Sequence, residues 1–114
     1  MNGPIYTKSK QLAIEGIRFC KFLKSKKETD VARQLLRAIT SVGANVVEAQ
    51  DAESKNDFIH KLKIAQKELN ESVYWMEIIT EACEYPMPEK LYGLAQECKK
   101  LLGSIVAATK RNMT

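Results

Sequence analysis

Apolar residues in this chain recur at intervals of three and four through four separate stretches, and no stretch alternates apolar with polar residues over the length of a strand. That spacing returns a side chain to one face of an α-helix, so each stretch must bury one face against another helix. The periodicity predicts helices over residues 8–25, 30–51, 55–84 and 88–110. With 5 Gly and 3 Pro among 114 residues, there is no room for long linkers, and residues 1–114 are expected to form a single domain. Short connections between amphipathic helices favour an all-α, antiparallel up-and-down four-helix bundle.

The local signals agree with this division. Leu12, Ala13, Gly16, Ile17, Phe19, Cys20 and Leu23 share the first apolar face, which ends at Ser25-Lys26-Lys27-Glu28. Thr29 or Asp30 suits the N-cap of the second helix. Ser54 stands three residues before Asp57, an aspartate variant of the capping box that should open the third helix. Pro88 can serve as the first residue of the fourth, where its missing N–H costs nothing. Gly16, Gly43, Gly93 and Gly103 are isolated within helical patterns, so they are expected at close helix contacts rather than in a phosphate-binding loop.

Surface charge divides along the chain. Residues 1–28 carry seven basic and two acidic groups and residues 86–114 five and two, within a net charge of +4. Lys8 and Lys10 at the start of the first helix should meet Lys110 and Arg111 at the end of the fourth, making one basic pole. His60, Lys63 and Lys67 form a basic stripe at i, i+3 and i+7 on the third helix. Such surfaces suit sequence-independent contacts to phosphates of RNA or DNA. A plain solvated face is the competing reading. Glu77, Glu81 and Glu84 crowd the negative end of the third helix dipole, with Lys24, Lys26 and Lys27 the nearest expected source of compensating charge.

Two apolar features exceed what one bundle needs. Trp75, Ile78 and Ala82 widen the apolar circumference of the third helix, and Ala38, Val42 and Ala49 widen that of the second beyond a ~100° stripe. These residues point to self-association.

Reactive chemistry finds little support. His60 is the single histidine, with no nucleophile marked beside it, and a di-iron centre fails because Asp57-x-x-His60 is the nearest match to the two Glu-x-x-His units it requires. A helix-turn-helix cut at Gly43 conflicts with an apolar phase that runs straight through the glycine. Cys20, Cys83 and Cys98 match neither a redox pair nor a zinc pattern and read as small core residues. No catalytic residue, cofactor or metal is expected. With no secretory leader and no membrane span, the expected compartment is the cytoplasm.

Two blocks carry a family resemblance. The first is Arg37-Ala38 followed by Ser41-Val42-Gly43-Ala44-Asn45-Val46-Val47-Glu48-Ala49. The second comprises Ser54, Asp57-Phe58, Leu62-Lys63-Ile64-Ala65, Lys67-Glu68 and Asn70-Glu71-Ser72-Val73-Tyr74-Trp75-Met76-Glu77. Together they resemble the bacterial four-helix-bundle family of 23S rRNA intervening-sequence proteins, often called ribosomal-protein-like. Ala49 and Gln50 replace the family's commoner Gly-containing end of the second helix, and the N-terminal tryptophan of many relatives is absent. The resemblance implies an antiparallel bundle that assembles into a homopentameric ring without known enzymatic activity. It also implies kinship with the accessory variability proteins of diversity-generating retroelements, which work with a reverse transcriptase and nucleic acid. Some members are encoded within intervening sequences of rRNA genes, which does not itself imply rRNA binding. By the same resemblance Asn45, Glu48, Glu71, Tyr74 and Trp75 are expected at helix or subunit contacts, or else as buried hydrogen-bonding groups that specify the fold. The sequence therefore supports a non-enzymatic, self-associating bundle, a scaffold with low-specificity binding of RNA or DNA through its basic surfaces. The alternative is a protein-only adaptor, for instance to a reverse transcriptase or other polymerase.

Overall fold

The computed structural model describes residues 3–113 and contains four helices: α1 (Pro4–Ser25), α2 (Thr29–Gln50), α3 (Lys55–Cys83) and α4 (Glu89–Arg111). α1 packs on α2 and α4, and α3 packs on α2 and α4, so α1 and α3 occupy diagonal corners of an up-and-down bundle. The molecule measures 50 × 20 × 19 Å.

Helix ends follow identifiable backbone chemistry. Pro4 occupies the first turn of α1, where its fixed φ suits a helix start, so α1 begins ahead of the predicted residue 8. Its other end is a Schellman motif: Glu28 N–H donates to Leu23 O at 2.9 Å and Lys27 N–H to Lys24 O at 3.0 Å, with Lys27 at φ 66°. Neither Thr29 nor Asp30 caps α2; both lie inside it, after Glu28. Ser54 does cap α3, its Oγ accepting from Asp57 N–H at 3.0 Å. The Asp57 carboxylate returns to Glu53 N–H at 3.3 Å rather than to Ser54. Pro88 lies one residue outside α4 in an extended conformation, its carbonyl accepting from Tyr92 N–H at 2.9 Å. α2 runs unbroken through Gly43, as its apolar phase requires.

The core runs the length of the bundle through Leu12, Leu35, Ile39, Leu62, Leu69 and Leu102, each fully buried. Each such side chain contributes about 2 kcal/mol of burial free energy. Ala38, Val42 and Ala49 also lie in this core, at 0–1% exposure, which corrects their assignment to a surplus face. α2 packs closely on both α1 and α3, and burying its sides against these two helices takes up the wide apolar stripe. Ile17 departs in the opposite sense, being exposed rather than on the core line.

At Gly16, α1 and α2 pack too closely to admit a side chain without a shift. A Cβ there would stand 2.8 Å from Ile39 Cγ2. Gly43 sits at ordinary contact distance from Ser9, while Gly93 and Gly103 have nothing within 4 Å of a Cβ, so the close-contact expectation fails for these two.

Candidate nucleic-acid interface

α3 presents His60, Lys63 and Lys67 on its exposed side, and the end of α4 brings Lys110 to the same surface. Lys55 anchors this register by donating from Nζ to Asn112 O at 3.3 Å, which sets the last turn of α4 beside the first turn of α3. Lys110 consequently comes near Lys63, and this like-charged neighbour holds the Lys110 pKa below its ordinary value. Among the described residues neither lysine forms an ion pair. Arg111 follows, also exposed.

Lys8 and Lys10 do not join this patch, which corrects the expected single pole. Lys8 pairs instead with Glu97 at 2.8 Å, and Lys90 approaches Glu15 at 3.7 Å, fixing the register of α1 against α4. Glu97 precedes Lys110 by about 20 Å of helix, at ~1.5 Å per residue. Lys10 lies over the Tyr6 ring, 5.9 Å from its centroid, beside a shallow α1–α2 groove lined by Ala13, Thr40, Gly43 and Val47. The basic face is therefore built by α3 and α4, and Lys8 and Lys10 belong to another side of the bundle.

The polar residues expected at contacts serve the fold first. Arg37 reaches from α2 to α3, donating to Glu68 at 3.1 Å and to Glu71 at 2.5 Å. The Arg37 hydrogen bond holds the Glu71 carboxyl below its ordinary pKa, and Trp75 Nε1 donates to the same carboxylate at 3.4 Å. Glu48 accepts from Lys61 at 2.9 Å, and Asn45 donates from Nδ2 to Ser41 O at 2.8 Å. Trp75 is half-buried against the core, whereas Tyr74 is exposed beside it, their rings edge to face at 5.9 Å. Ile78 is half-buried and Ala82 exposed, and both border a shallow depression with Tyr74, Glu77 and Glu81.

The end of α3 does lie near the end of α1, where Phe22 meets Tyr85 edge-on at 5.3 Å. Yet Lys24, Lys26 and Lys27 form no ion pair with Glu77, Glu81 or Glu84 among the described residues. Ile14 and Ile17 were not singled out in the sequence as surface candidates. For Ile14 a signal was available, since it lies off the Leu12, Gly16, Cys20 and Leu23 line that α1 buries, whereas the spacing of Ile17 fits the wider apolar face.

The cysteines are poor nucleophiles. Burial pushes the Cys20 and Cys98 thiols up to about 11. Cys83 donates to Glu28 Oε2 at 3.3 Å, a bond that raises its pKa as well, because ionisation would set a thiolate against a carboxylate. Among the described residues no group of three or more His, Cys, Asp or Glu side chains is placed to hold a metal ion, and no helix is long and apolar enough to cross a membrane.

The sequence profile of the 23S rRNA-intervening sequence protein family matches residues 2–107. The chain belongs to this family. A crystal structure of a protein of unknown function from the S23 ribosomal protein family of Bacteroides thetaiotaomicron VPI-5482 is similar to it, with 39% identity and a TM-score of 0.86, covering 90% of this chain and 98% of that one. No curated protein matches the chain. The four-helix bundle described above is thus shared with a solved member of the S23 ribosomal protein family.

Proposed function

We propose that this protein is a self-associating scaffold that binds RNA or DNA weakly and without sequence preference. Phosphates lie across the α3–α4 face, held by Lys63 and Lys110 with His60, Lys67 and Arg111 around them. The observation that carries this reading is the Lys55–Asn112 hydrogen bond, which sets the last turn of α4 with Lys110 beside the exposed lysines of α3, where among the described residues neither Lys63 nor Lys110 is paired to a carboxylate. A phosphate between them would turn a mutual repulsion into two charge-assisted contacts. Assembly repeats the face from copy to copy, and five copies in a ring is the number that family resemblance implies.

Electrophoretic mobility with RNA and with duplex DNA, at low and at moderate salt, tests the proposal. Both polymers should shift at low salt, and binding should weaken steeply as salt rises. The Lys63→Glu, Lys110→Glu double variant should weaken both complexes alike and lower the salt slope by about 2, roughly one for each phosphate no longer held. No shift at low salt with either polymer would overturn nucleic-acid binding and favour an acidic protein partner for the same cations.

A further inference from the structure

Self-association needs two surfaces that fit each other. On α1, Lys10, Ile14, Ile17 and Lys21 follow at intervals of four, three and four and so lie in one line along the helix. Ile14 is 41% exposed and Ile17 39%, high values for large aliphatic side chains. On α3, Tyr74, Ile78 and Ala82 make a second line bordered by Glu77 and Glu81, with Tyr74 58% exposed. The two helices stand at diagonal corners and do not touch, so these edges cannot cover one another within a single copy. Two different patches on one molecule pair head to tail, giving a contact that repeats from copy to copy.

Height along the bundle matches. The Phe22–Tyr85 contact sets the ends of α1 and α3 at one level. At ~1.5 Å per residue, Ile17 and Ile14 lie about 8 and 12 Å below Phe22, and Ile78 and Tyr74 about 8 and 14 Å below Cys83, the last residue of α3. Charge matches too. Lys21 and Lys24 on α1, and Glu77 and Glu81 on α3, form no ion pair among the described residues. The glutamates lie in the C-terminal part of α3, where the helix dipole disfavours negative charge and a neighbouring cation relieves it.

We propose that the α3 edge of one copy docks on the α1 edge of a second copy. Tyr74 and Ile78 pack on Ile14 and Ile17, while Lys21 and Lys24 neutralise Glu77 and Glu81. The proposal rests on the self-association reading and adds the identity and polarity of the two faces.

Charge reversal tests it, with sedimentation at low salt for assembly and circular dichroism for folding. Lys21→Glu with Lys24→Glu, and separately Glu77→Lys with Glu81→Lys, should each weaken association by at least ~10-fold, since like charges then face each other. The variant carrying all four changes should assemble again, and an equimolar mixture of the two double variants should associate through alternating contacts, which a ring of five cannot close completely. Wild-type assembly that survives both double variants would overturn this pairing while leaving self-association intact. So would a folded four-site variant that stays dissociated. A monomeric wild type would remove self-association itself, and the pairing with it.

Discussion

At Gly16 the absence of a methyl group sets how closely α1 approaches α2. An alanine Cβ would stand 2.8 Å from Ile39 Cγ2 and 2.9 Å from its Cδ1, inside van der Waals contact with a fully buried, β-branched side chain. Gly16→Ala should therefore cost about 1–3 kcal/mol, as overpacking of a filled core does. Gly103 meets nothing within 4 Å, so Gly103→Ala should add roughly 0.5–1 kcal/mol through helix propensity alone. Urea unfolding of the two variants should give shifts of opposite sign, and a shared sign would contradict this account. The sequence presents the two glycines identically, each alone in a helical pattern. What separates them is a neighbour on another helix, which local sequence does not carry. Ile17 shows the same limit from the other side: its spacing fits the face of Leu12 and Gly16, but the direction of α2 and α4 leaves it outside.

Helix existence was legible where periodicity and cap chemistry coincide, as at Ser54, whose side chain bonds the third residue of its own helix. Other boundaries were harder because the expected residue type is missing. Lys27 sits at φ 66°, the left-handed position of a Schellman turn that most often holds glycine, and a lysine there gives no sequence signal. Its geometry makes a prediction: Lys27→Gly removes the Cβ penalty of that conformation and should stabilise the protein by up to about 1 kcal/mol, despite the greater chain entropy of unfolded glycine. Loss of stability on this substitution, measured by thermal unfolding, would mean that the Lys27 side chain holds the α1–α2 turn by contacts that outweigh its backbone cost. The proline rule applies to Pro4, in the first turn of α1, while Pro88 stops one residue short of α4. Pro88 has an extended backbone, with ψ at 99°, and so stands at the N-cap rather than in the first turn.

Across the whole bundle, the unread quantity was register. Lys8–Glu97 and Lys90–Glu15 fix α4 against α1, and Lys55–Asn112 fixes it against α3, so Lys110 reaches Lys63 and misses Lys8. The exposed side of α3 is consequently polar along its length: His60, Lys63 and Lys67 in one half, Glu77 and Glu81 in the other. If the acidic half docks on α1 of a neighbouring copy, Lys67 comes level with the first turn of α1, while Lys63 and His60 pass beyond its start. The basic faces of successive copies then stand side by side at one end of the assembly, and a polyanion laid across two of them ties the copies together. Binding and assembly are thereby linked, and linkage is reciprocal: whatever factor by which RNA tightens assembly, assembly tightens RNA binding by the same factor. Sedimentation with a short RNA at low salt should show the oligomer persisting to lower protein concentration than without it. The Lys63→Glu, Lys110→Glu variant should lose that gain while still assembling alone, because neither residue lies on the docking edges. An RNA-induced loss of the oligomer would mean that phosphates and neighbouring copies compete for the same cations, and the basic face would then have to include Lys21 and Lys24.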